Sequence, residues 1–176
     1  METPSSASVQ AATVRSGDWR VDESNSFVRF HTRAMFNLFP VVGRFDRFDG
    51  TLHVDDSGRV SGELTIEASS IKTGVALRDW HLRSRDFFHV ARHPQLSFTL
   101  DGLEPDGDSH LVTGALRIRE TSLPVRASAT VAGDGSEMTI RARFEVDHHK
   151  AGLGWAKPGM VPKSVEADVQ LALRRT

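Results

Sequence analysis

The sequence predicts an all-β fold of about eight antiparallel strands, arranged as a meandering barrel or a sandwich. Three observations carry that prediction. Apolar and polar residues alternate with period two over most of the chain. Turn signals punctuate it at Asp55-Asp56-Ser57-Gly58, Pro105-Asp106-Gly107-Asp108 and Gly133-Asp134-Gly135-Ser136. Only one segment has helical spacing. Strict alternation sends one face of a strand to a core and the other to water, which antiparallel sheets use and buried parallel strands do not. The pattern alone leaves barrel and sandwich both open.

In chain order, strands are expected first at Trp19–Val21, Phe27–Ala34 and Val42–Val54. Within the last, Phe45 and Phe48 differ by an odd number. A bulge near Asp46-Arg47 would bring both inward and bend the strand as barrel closure requires; without it, one phenylalanine covers an external patch. Val60 to Ser69 (VSGELTIEAS) alternates without a fault. Thr73 to Leu82 (TGVALRDWHL) has Leu77 and Trp80 three apart, with Thr73 as N-cap, and predicts a short helix that plugs one end of the sheet structure. His93-Pro94 ends that region, because the residue before proline is steered out of helix. Alternation resumes at Leu96–Asp101, Leu111–Ile118, Val125–Val131 and Met138–Asp147. Leu123-Pro124 marks a bend or a strand start. Val165–Arg174 breaks its period only at Ala172.

Length and composition set bounds on function. The 176 residues carry 22 basic and 23 acidic side chains, which removes the electrostatic footprint of a nucleic-acid binder. The chain has no cysteine, so a disulfide framework, a thiolate zinc site and a cysteine nucleophile are all excluded. No stretch approaches the roughly 20 apolar residues of a membrane-spanning helix. Residues 1–17 are small and polar, with Arg15 the only basic side chain, and lack the apolar run of a secretory signal. The expectation is a cytoplasmic protein with a disordered arm over 1–17 and one domain over 18–176. Ten Phe and three Trp stand against no Tyr, so most aromatic surface has no polar handle.

Few constellations point to chemistry. His89 and His93 have the spacing of two helical metal ligands, but Val90 stands where a metalloprotease has its glutamate. Asp147-His148-His149 could supply a base and an orienting carboxylate, with no nucleophile to serve. There is no GxSxG elbow, and Gly152-Leu153-Gly154 lacks both the third glycine and the βαβ setting of a dinucleotide site. Arg78, Asp79 and His81 sit among Leu77, Trp80, Phe87 and Phe88. They either pair to fix the helix or meet the polar end of a ligand. The aperiodic stretch Asp147–Lys163, with Leu153, Trp155 and Met160 expected to be exposed, reads as an apolar lid or as the contact loop of a homodimer.

Several of these residues together resemble the YceI-like polyisoprenoid-binding family. The likeness runs through Gly43-x-Phe45-x-x-Phe48-x-Gly50, Ser70-Ile71-Lys72-Thr73-Gly74 and the long block Arg78-Asp79-x-His81-Leu82-Arg83-Ser84-x-Asp86-Phe87-Phe88, with Pro94 and Phe98. It continues at Gly114-x-Leu116-x-Ile118, Leu123-Pro124-Val125, Asp147, Gly152 and the strand from Val165. The resemblance covers nearly everything from Asp18 onward. It implies a lipocalin-like antiparallel β-barrel of about eight strands with a short helical plug, holding a long isoprenoid or other long-chain apolar ligand. No catalysis, cofactor or metal follows from it. The chain departs from the family pattern at Asn25 and Ala34, where histidines are usual, at His89, where aspartate is usual, and at His148, where arginine is usual. These departures are expected at strand ends, near a head group.

Alternation then names the ligand-facing side chains. From the strands come Phe30, Phe45, Phe48, Leu64, Ile66 and Phe98. The later strands add Leu116, Ile118, Met138, Phe144, Val169 and Leu171. The helix and the segment after it add Leu77, Trp80, His81, Phe87 and Phe88, and the 147–163 loop adds Trp155. Small residues at Gly62, Gly114, Ala127, Ala129, Ala142 and Ala167 leave room for a cavity or suit the taper of a packed barrel. Outward Glu63, Glu67, Arg126, Arg141, Arg143 and Glu166 argue against a membrane barrel. Three functional classes stay open: a carrier of an isoprenoid tail, a stress-response or protein-interaction module with a filled barrel, and an enzyme on bound lipid using His81 or the His148-His149 pair.

Overall fold

The computed structural model describes residues 14–34, 38–153 and 164–176. The strands are β1 (Gly17–Ala34), β2 (Phe39–Phe45), β3 (Phe48–Val54), β4 (Val60–Glu67) and the two-residue β5 (Ile71–Lys72). After helix α1 (Ala76–Arg83) come β6 (Gln95–Asp106), β7 (Ser109–Ile118), β8 (Thr121–Gly133), β9 (Glu137–Asp147) and β10 (Ser164–Arg175). Neighbouring strands are antiparallel, and β10 pairs back onto β1. β2 and β3 lie end to end in one position, β2 on the C-terminal half of β1 and β3 on its start. The result is a closed barrel of eight strand positions, so the choice between barrel and sandwich falls to the barrel.

Two irregularities shape the barrel. The first stretches expected as separate strands form one long β1, with five steps from Asp22 to Phe27 against two on β10, from Ala172 to Gln170. That odd surplus reverses which parity faces inward: Trp19 and Val21 before it, Val28 and Phe30 after it. Ser26 knits the bulge, its hydroxyl donating to Asp22 O at 2.6 Å and accepting from Ala172 N at 2.9 Å. Asn25 lies here on the surface, donating to Asp22 Oδ2, rather than at a strand end.

The second irregularity is the break at Asp46-Arg47. It buries both Phe45 and Phe48, as the bulge expectation had it. The freed amides of Asp46 and Arg47 donate to Ser70, to its carbonyl at 3.2 Å and its hydroxyl at 3.1 Å. The 3-10 turn Ala68–Ser70 thus fills the ladder that the break interrupts. Lys72, then Arg44, hold the Asp46 carboxyl below its ordinary 3.8.

Two close approaches require glycine. A Cβ on Gly43 would lie 2.0 Å from the Phe30 ring, which folds across its strand neighbour. A Cβ on Gly114 would lie 2.3 Å from Thr99 O and 2.7 Å from the Phe98 ring. On the outer face of the closing seam, Asp168 is only 3% exposed. Arg141 and Arg143 reach it from β9 at 3.3 and 3.4 Å, and His31 from β1 at 3.9 Å.

One end of the barrel is sealed by Trp19, Leu52, Val54, Val60, Leu103 and Met138. Val14 packs on this cluster, and Arg15 O accepts from the Trp19 indole at 3.2 Å. Residues 14–16 of the expected arm therefore lie against the body and Gly17 opens β1, while residues 1–13 lie outside the described residues. His110 is buried at β7 opposite Ala129, its Nδ1 without a hydrogen-bond partner among the described residues. Burial holds its pKa below the ordinary 6.5. The unfolded chain therefore binds a proton there more readily than the folded one, and stability falls as pH drops from 6.5 toward the lowered value. Thermal unfolding from pH 8 to pH 5 should show this loss, and His110→Leu should flatten it.

An apolar lumen with a polar mouth

The remaining interior is a cavity of about 490 Å³. Its floor is Leu52, Leu100, Leu103, Val112 and Leu173, above the sealed end. Its walls carry six phenylalanines: Phe30, Phe45, Phe87, Phe88, Phe98 and Phe144. Phe30, Phe45 and Phe88 form a chain of tilted and edge-on rings with centroids 6.1 and 5.8 Å apart. Leu64, Ile66, Leu116, Ile118, Val169 and Leu171 complete much of the wall, with Gly62, Ala127, Ala142 and Ala167 as the small residues that keep it open. At the opposite end Thr32, Arg33, Arg78 and His81 meet the lumen. Thr32 Oγ1 is buried there with no hydrogen-bond partner among the described residues.

Helix α1 flanks that mouth, held by polar contacts. Asp79 is buried, and its Oδ1 accepts from the Thr73 amide at 2.8 Å and the Thr73 hydroxyl at 2.5 Å. Arg78 donates to the Thr73 hydroxyl and carbonyl, and Arg83 to the carbonyls of Ser69 and Ile71. Thr73 is therefore the helix anchor rather than its N-cap; the cap position is Val75, with no side-chain cap bond. Arg78 and Asp79 do not simply pair with each other, because both reach Thr73. Asp79→Ala should cost roughly 1–3 kcal/mol by leaving the Thr73 donors unmet. Faster amide exchange confined to residues 73–83 would register it.

This anchoring corrects two expected ligand contacts. Leu77 and Trp80 are 76% and 68% exposed and do not line the cavity, because Asp79 and Arg83 decide which helix face turns inward. His81, Phe87 and Phe88 do line it, with the His81 and Phe87 rings edge-on at 5.1 Å. Phe48 packs in the core around Phe45 without reaching the lumen. Met138 belongs to the sealed end. Trp155 and Met160 lie outside the described residues.

Alternation missed Leu153 and His148. Asp147 Oδ1 accepts from the amides of His149 and Lys150, and Gly152 takes a positive φ of 71°. The chain doubles back, so that Leu153 N donates to His148 O at 3.0 Å, and Leu153 and His148 are buried on the cavity wall. Leu153, expected to be exposed, is thus inside. His149 is exposed, its ring edge-on to that of buried His148 at 4.6 Å, and the Asp147 carboxylate serves this turn. His89 and His93 meet edge-on, ring centroids 5.9 Å apart, in a turn where His89 has φ 49°. Among the described residues no group of three His, Asp or Glu side chains converges on one point.

A closed antiparallel barrel around an apolar lumen defines a lipocalin-like protein. More specifically, the chain belongs to the YceI-like family, whose domain matches residues 19–174. It is 32% identical over 143 residues to Protein YceI of Escherichia coli O157:H7, covering 78% of this chain and 74% of that one. Among solved structures it is similar to BcnA of Burkholderia cenocepacia, with a TM-score of 0.79 and 23% identity over 86% of this chain and 98% of that chain. It is also similar to a polyisoprenoid binding domain from Saccharophagus degradans, with a TM-score of 0.73 and 16% identity over 90% and 98% of the two chains. No helix among the described residues is long and apolar enough to cross a membrane.

Proposed function

We propose that the protein binds and carries a long-chain isoprenoid lipid, a polyprenyl or quinone-like tail, in the barrel lumen. The observation that carries this reading is the cavity itself: about 490 Å³ of open volume behind six phenylalanines. A hydrocarbon makes no demand on such a wall, whereas a tyrosine hydroxyl facing it would need a partner. Membership of a family with a polyisoprenoid-binding structural neighbour points the same way. Each five-carbon unit contributes at most roughly 4 kcal/mol of apolar transfer, so a few units offset the cost of association. The polar end of the ligand belongs at the mouth, beside Thr32, Arg78 and His81. The carrier reading assigns no chemical step to His81 or to the His148-His149 pair.

A module with a filled barrel is disfavoured by the open lumen. Organic extraction of natively purified protein, followed by mass spectrometry, tests the carrier reading. The expected result is a stoichiometric isoprenoid. Protein that is reproducibly empty and takes up no added polyprenol would overturn it.

A further inference from the structure

Three exposed apolar residues on α1 and its N-cap, Val75, Leu77 and Trp80, have counterparts at the start of β2, where Leu38, Phe39 and Val42 are also exposed. The topology brings these two groups to one end of the barrel. β5 pairs antiparallel with β2 at Ile71 opposite Phe45, which directs the chain after Lys72 back toward the beginning of β2. Both segments frame the same opening, since Arg33 and Val41 line the lumen on one side and Arg78 and His81 on the other.

Charge is just as unevenly distributed. Residues 27–44 hold Arg29, Arg33 and Arg44 and no acidic side chain. Residues 68–86 hold Lys72, Arg78, Arg83 and Arg85 against Asp79, which is buried, and Asp86, which lies 3.8 Å from His81. These two segments carry five net positive charges in a chain whose total is −1. Asp46 takes up part of that excess through Arg44 and Lys72.

We propose that this mouth docks on an anionic lipid bilayer, with Trp80, Leu77, Leu38 and Phe39 entering the headgroup layer and the basic side chains meeting lipid phosphates. An exposed aromatic and aliphatic group within a basic surround is the chemistry of interfacial binding. Large exposed apolar groups are otherwise a liability on a soluble domain. The arrangement turns the lumen toward the membrane, so that a lipid tail passes from bilayer to barrel without crossing water. That last step rests on the carrier reading; the docking does not.

The test is co-flotation of the full chain with phosphatidylcholine vesicles containing about one quarter phosphatidylglycerol, beside phosphatidylcholine alone. Polyprenol uptake from a vesicle-free ethanolic stock is measured in parallel. Binding to the anionic vesicles, weakened by salt, is expected. The L77S/W80S variant should lower it at least about ten-fold, since both side chains are exposed and lose apolar transfer. The variant should keep its thermal stability and its vesicle-free uptake. Absent vesicle binding in a chain that takes up polyprenol would overturn docking and leave the carrier reading standing. Vesicle binding without uptake would do the reverse. Binding unchanged in L77S/W80S would overturn the assigned surface, as would a dimer in sedimentation that this variant dissolves, or retention only by another protein.

Discussion

Leu116→Trp is expected to lower uptake of a polyprenol more than about ten-fold while the barrel still folds. Leu116 sits on β7 between Phe98 of β6 and Leu123 of β8, buried at the lumen wall. Its side chain points into open volume, so an indole there can extend into the cavity. The usual overpacking cost of roughly 1–3 kcal/mol should therefore fall at its low end. Ligand binding has no such escape, because the indole occupies the space the tail needs. Titration with a fluorescent polyene fatty acid or polyprenol, alongside thermal unfolding, separates the two effects. Ala142→Phe fills the lumen from β9, two strands away, and serves as a second variant if Leu116→Trp unfolds. Arg126→Ala, an exposed change on β8, should alter neither quantity. Undiminished uptake in both filled variants would place the ligand outside the lumen.

Much of the barrel was legible because burial on one face imposes period two, and that period survives in single strands such as β4 and β9. It identified most of the lumen wall, including Phe30, Leu64, Phe98, Leu116 and Phe144. Closure was not legible, since the β10–β1 seam depends on a three-residue surplus in β1 that no local pattern announces. The same limit explains the miss at Leu77 and Trp80. An amphipathic reading assumes that apolar residues turn inward, yet α1 is oriented by Asp79 and Arg83. Buried Asp79 and half-buried Arg83 outweighed a Leu-Trp pair three residues apart. Leu153 was missed for a related reason, because its burial depends on the Asp147 turn and Gly152 rather than on periodicity. The Asp-x-x-x-x-Gly pattern there is the signal that could have shown the chain folding back.

Trp19→Ala should be the most destabilising single change among the residues discussed, at about 3–5 kcal/mol. Trp19 is 1% exposed and lies where β1 meets both β3 and β10, opposite Leu52 and Arg175. It packs in the cluster that seals the barrel, with Val54, Leu103 and Met138. Truncation leaves a cavity that strands held by three ladders cannot collapse to fill, and it frees the Arg15 carbonyl from the indole. For a chain of this size the melting temperature should fall by roughly 6–20 °C. The position also predicts a functional signature, because the new void adjoins the floor of the lumen at Leu52, Leu103 and Leu173. A carrier whose floor has opened should release a bound polyprenol faster, even at temperatures where it is fully folded. Stopped-flow displacement well below the lowered transition measures that rate. Trp19→Phe, which keeps most of the volume, should restore most of the stability and the slow release. A variant that melts early yet releases ligand at the unchanged rate would show that the sealed end supports the fold without bounding the ligand.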